Sequence, residues 1–142
     1  MSDLKQRIFE LAKGPQLINL ATITEEGKPW VRYMVGSADE TLTFRFCCAL
    51  CSDKVRHIRQ NPNVHLSLGA TDIMSAKEWL QVEGAAEITT AKAERDAFWY
   101  DGLQAYFQGP DDPNFCVIIV TPFRIELASM GSMSAEVWQP GQ

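Results

Sequence analysis

Apolar residues recur along this chain with two different periods. Leu4, Ile8 and Leu11 fall at helical spacing ahead of Gly14 and Pro15, which predicts an N-terminal helix over 2–14. The period then shortens to two. LINLATIT (17–24) reads as a strand, EEGKP as a turn, and WVRYMVG (30–36) alternates Trp30, Arg32 and Met34 against Val31, Tyr33 and Val35. TLTFRFC puts Leu42, Phe44 and Phe46 on one face. A short helix follows: Ser52 is a natural N-cap, Val55 and Ile58 form an apolar pair one turn apart, and Asn61-Pro62 is a stop. Strand patterns resume at 63–69 and 76–89, and a longer helix fits 91–107. After the loop QGPDDP, two strands are expected at 115–122 and 123–130, ahead of a small-residue tail over 131–142 that contains Trp138.

Six or seven short strands with few helices lack the helix-per-strand rhythm of a parallel sheet. The fold class they predict is mainly β, an antiparallel barrel with attached helices. With 142 residues, no internal repeat and no linker, the expectation is a single domain over 1–142, its barrel core over 16–130. Trp30, Tyr33, Trp79, Phe98, Trp99 and Trp138 are too many large rings for one small barrel. They predict an apolar surface closed by a second copy, a homodimer.

Composition narrows the classes of function. The net charge is −5, from 13 basic and 18 acidic residues, so a general nucleic-acid binder is not expected. No apolar run approaches the roughly 20 residues of a membrane helix, and no secretory signal pattern opens the chain. The expected location is the cytoplasm, with Cys47, Cys48, Cys51 and Cys116 as reduced thiols.

The densest chemistry lies in FCCALCSDKVRHIRQNP (46–62). Cys48-x-x-Cys51 is a zinc half-site in spacing, with Cys47, His57 and His65 nearby, but no second half follows. A thioredoxin-like redox pair would require a βαβ context that is missing. Buried cysteines acting as small hydrophobes are the third reading. The residues after them say more. Ser52 opens a helix and Lys54 sits in its first turn, where free N–H groups and the helix dipole favour an anion. Arg45, Arg56, His57 and Arg59 add positive charge, against Asp53 alone. Arg32 is the one charged side chain of its strand, and a guanidinium there calls for a planar anionic partner. The two histidines are expected to be structural, His57 on an exposed helix turn and His65 on the polar side of a strand.

The order of these motifs resembles the pyridoxamine 5'-phosphate oxidase-like, FMN-binding split-barrel superfamily, in its small general-stress-protein form. The likeness is carried by LATITEEGKPWVRYMV, TLTFRFCCALCSDKVRHIRQNPNVHLSL and WLQVEGAAEI, over roughly residues 15 to 128. It implies that Arg32, Ser52 and Lys54 hold the flavin phosphate. It also implies that the backbone of Tyr33 and Met34 runs along the isoalloxazine, and that Cys47 and Cys48 line the strand end facing ribityl and phosphate. Trp79 falls where such dimers place a residue at the flavin edge. The cofactor implied is FMN, at an interface between subunits, with the CxxC spacing a coincidence and no metal. Three departures stand out. Asp53 replaces a basic residue usual before the lysine, and a further lysine is missing near Gly36 and Ser37. LASMGSMSAEVWQPGQ has neither the arginine nor the histidine that binds pyridoxamine phosphate. The expected function is therefore an FMN-dependent oxidoreductase that is not a vitamin B6 oxidase, with a nicotinamide or other small electron donor. The alternatives are a non-enzymatic flavin carrier or redox sensor, or a split barrel holding haem or a deazaflavin.

Overall fold

The computed structural model describes residues 2–141. Helix α1 (Asp3–Ala12) leads into strands β1 (Gln16–Ile23), β2 (Pro29–Ala38) and β3 (Phe44–Ala49), then helix α2 (Asp53–Gln60). Strands β4 (Asn63–Leu68) and β5 (Glu78–Thr89) precede helix α3 (Lys92–Phe98) and a 3-10 turn at Asp101–Ala105. Strand β6 (Phe115–Ser129) and a short β7 (Glu136–Trp138) complete the chain.

Every strand pairing is antiparallel, in the order β3-β2-β1-β4-β5-β6-β7, and β3 also pairs with β6. That last pairing closes six strands into a barrel and leaves β7 outside it, on the edge of β6. The inward positions are those that the two-residue period marks: Ile18, Leu20, Phe44, Phe46, Leu66, Leu80, Val82, Ile118 and Val120 are all buried. Helix α1 packs Ile8 and Ala12 on this core, and α2 packs Val55 and Ile58.

Three elements differ from the sequence reading. The segment 91–107 is no single helix: α3 ends at Phe98 with Trp99 as its C-cap, and the 3-10 turn follows. Its rings fold back on the outer face of β3 and β6. Trp99 meets Phe115 edge-on at 5.5 Å, and Phe107 lies 5.0 Å from Phe115, in a second apolar cluster with Leu103. Pro122 does not end a strand either, because β6 runs through it. Pro122 faces Gly84 where the β5–β6 register slips, and a Cβ on Gly84 would come within 2.6 Å of the Thr121 carbonyl. A bulge with glycine opposite lets the ladder tolerate a residue with no N–H.

The tail supplies the third difference. Trp138 pairs with Ile125 and is 4% exposed, so it belongs to the core and not to an open apolar patch. Trp79, Phe98 and Trp99 are half-buried. The exposed patch instead covers the outer face of β1 and β2, where Leu17, Val31, Tyr33 and Val35 face solvent with Trp30 at the end.

Candidate functional site

Strands β2 and β3, the start of α2 and the 100–107 segment enclose a cleft of about 540 Å³, within the usual range for small-molecule sites. Tyr33, Met34, Cys47, Cys48, Ser52 and Lys54 line it, so residues far apart in sequence meet at one place. Tyr100, Leu103, Tyr106 and Phe107 form the opposite wall. The sequence reading missed these four because it assigned them to a continuous helix.

Ser52 takes the N-cap position of α2 but makes no capping bond. Its Oγ donates to the Ala49 carbonyl at 2.7 Å, and the first-turn N–H groups keep no side-chain cap. Free N–H groups at a helix start attract anions. Lys54 stands in that first turn and, among the described residues, forms no ion pair, whereas Arg45 is committed to Asp39 and Glu94, and Arg56 to Glu25 and Asp53. Of the basic cluster seen in the sequence, Lys54 alone lines the cleft, while Arg59 is exposed and forms no ion pair among the described residues.

Arg32 likewise forms no ion pair with a carboxylate among the described residues. Its Nη1 donates to Thr22 Oγ1 at 2.8 Å and to the Leu20 carbonyl at 3.3 Å. Burial pulls its guanidinium down from the ordinary value, with Asp53 acting the other way. Arg32 does not line the 540 Å³ cleft itself. It emerges beside α2, where the charge of Asp53, the neighbour of Lys54, reaches it. Thr22 is fully buried, and its Oγ1 lies 2.9 Å from Nδ1 of His57. His57 is therefore a buried residue on the inner face of α2, not the exposed one that the sequence suggested. His65 is exposed, as read.

Trp79 is not in this cleft. It lines a neighbouring one of about 550 Å³ with Leu17, Asn19, Ile73 and Met130, and Tyr33 forms the ridge between the two. Burial raises the Cys47 thiol to about 11, with Cys48 adding to the shift, so Cys47 is protonated at neutral pH. The CxxC spacing brings nothing together. Cys51 is exposed and sits against Asn114, and among the described residues no group of three metal-ligating side chains assembles. The sulfur of Cys48 instead meets Cys116.

A closed six-stranded antiparallel barrel with an anion-favouring cleft at its β3–α2 junction defines the class, and the sequence agrees. Residues 4–129 match the pyridoxamine 5'-phosphate oxidase family, and the chain belongs to that family. It is 32% identical to general stress protein 26 of Bacillus subtilis (strain 168) over 129 residues, 91% of each chain. Among solved structures it resembles general stress protein 26 from Bacillus anthracis str. Sterne at TM-score 0.83 and 25% identity, covering 97% of this chain and 99% of that one. It also resembles an F420 reductase at TM-score 0.64 and 28% identity, covering 82% and 93%. Among the described residues no helix is long and apolar enough to cross a membrane.

Proposed function

We propose that this protein is a homodimeric FMN-binding flavoprotein that acts as an oxidoreductase on a substrate other than pyridoxamine phosphate. The observation that carries the reading is the cleft at the start of α2, where Lys54 has no carboxylate partner and the helix N-terminus keeps no side-chain cap. An acidic chain that leaves Lys54 and Arg32 without a carboxylate ion pair, with the charge of Asp53 alone reaching Arg32, has a place for a dianion near this helix start. Bound there, a flavin supplies two-electron exchange at its ring.

The residues of the chain do the rest. Lys54, Arg32 and Ser52 hold the phosphate, with Thr22 keeping Arg32 in place from below. Tyr33 and Met34 flank the ring, and Cys47 and Cys48 pack beside the ribityl chain. Tyr100, Tyr106 and Phe107 exclude water from the far side. The apolar face of β1 and β2 takes a second copy, and Trp79 then reaches the flavin edge across the interface. At Gly36, near the missing family lysine, a Cβ would run into the Phe46 ring and the Arg45 carbonyl.

Titration of the purified protein with FMN tests the reading by absorbance and flavin fluorescence. Saturation near one FMN per chain, with perturbed bands, supports it; an unperturbed spectrum at all ratios overturns it. Oxidation of NADH or NADPH faster than with free FMN then separates an enzyme from a flavin carrier. The likeness to an F420 reductase favours one second reading, a deazaflavin in the same cleft, and competition between the two flavins decides between them.

A further inference from the structure

Cys48 and Cys116 lie 68 residues apart in sequence, yet their sulfurs are 3.3 Å from each other. The register explains this. They are direct partners in the β3–β6 ladder, which is the pairing that closes the barrel. Directly opposed residues of an antiparallel pair hold their Cα atoms roughly 4.5 or 5.5 Å apart, according to hydrogen-bonding phase. Both spacings fall inside the roughly 4.4–6.8 Å that disulfides span. The pairing thus meets the Cα spacing that a disulfide requires. Cys47, one residue earlier, points to the other face of the sheet, and Cys51 is held at the surface by Asn114.

The two thiols are not equivalent. Cys48 is 6% exposed and forms part of the cleft wall, while Cys116 behind it is 0% exposed. The sulfur–sulfur contact with Cys116, in which either thiol can donate, draws the Cys48 thiol below its ordinary value against the effect of burial, and the charge of Lys54 helps; the Cys116 thiol also donates to the Cys48 carbonyl at 3.2 Å. The same contact, with burial, pushes Cys116 up. One sulfur is thus placed to attack from the cleft and the other to resolve.

We propose that Cys48 and Cys116 are a dithiol that a hydroperoxide oxidises to an intramolecular disulfide across the closing seam of the barrel. The Cys48 thiolate attacks a peroxide oxygen, the O–O bond breaks, and Cys48 sulfenic acid and hydroxide form. The Cys116 thiol then attacks the sulfenic sulfur; its proton leaves with the departing hydroxyl as water. Overall, two thiols and one hydrogen peroxide give one disulfide and two waters, with two electrons passing from sulfur to oxygen. The pair belongs to the chain itself, and because Cys48 is reached through the cleft wall, the reaction is that of the chain with its cleft open to peroxide.

The experiment uses the full chain carrying Cys47→Ser and Cys51→Ser, so that only the pair remains. After exposure to hydrogen peroxide, the protein is denatured, alkylated and analysed by mass spectrometry. Loss of both alkylatable thiols, a cross-linked peptide joining Cys48 to Cys116, and return of both thiols with dithiothreitol are expected. Adding Cys116→Ala should abolish the cross-link and leave Cys48 as a sulfenic acid that dimedone traps. Two results overturn the proposal: both thiols stay alkylatable while Cys51 of the wild-type chain is oxidised, or Cys48 over-oxidises with Cys116 still reduced beside it.

Discussion

Thr22 carries more of the site than its size suggests, because one fully buried hydroxyl joins half-buried Arg32 to buried His57. Thr22→Val keeps the shape and removes the oxygen, leaving the buried imidazole nitrogen of His57 without its partner and Arg32 with only the longer bond to the Leu20 carbonyl. The expected loss is about 1–3 kcal/mol in urea unfolding, the range for stranding a buried polar group. Arg32→Ala and Lys54→Ala should each weaken FMN binding by about 1–3 kcal/mol, as losing one charge-assisted hydrogen bond does, and titration reads it directly. Arg32 was legible as the lone charge in its strand and Lys54 from its helix-start position. His57 was not, since its burial depends on which face of α2 meets β1, and one short helix repeats too few turns to say.

At the scale of elements, β7 is the piece whose attachment can be measured. Trp138 anchors it from within the core, and Arg7 of α1 holds it from outside, donating to Glu136 at 2.7 and 3.0 Å and to Glu78 at 3.2 Å. Trp138→Ala should destabilise the fold by about 3–5 kcal/mol, the usual range for emptying a buried tryptophan site. The Arg7 clamp is pH-dependent. Hydrogen bonding to Arg7 keeps the Glu136 carboxyl below its ordinary value. A carboxyl depressed in the folded state contributes stability above its unfolded pKa, and that contribution is lost as pH falls through the folded one. Urea midpoints should therefore drop in acid more steeply for the natural chain than for Glu136→Gln. The elements themselves were readable wherever one period persisted, as in β1, β2, β4 and β5. The reading failed at Pro122 and over 91–107, where a bulge partner and the apolar face of β6 decide the local conformation.

For the whole molecule, the exposed face of β1 and β2 is the feature that demands a partner. Tyr33 is 72% and Val31 63% exposed in the single chain, and apolar surface of that kind marks an interface. If the proposed dimer forms through this face, Val31→Asp should leave the fold intact, yield a monomer in sedimentation, and weaken flavin binding through loss of the Trp79 that a second copy would contribute.

The sequence alone determined the fold class, the strand faces, and the cation-bearing helix start, because these follow from residue type and spacing within a few turns of chain. The tertiary structure decided which residues meet. It set Cys48 against Cys116 instead of Cys51, turned Trp138 inward, and split Tyr33 and Trp79 between two clefts. Those outcomes depend on strand register and barrel closure, and register is a property of two segments paired together that neither segment carries by itself.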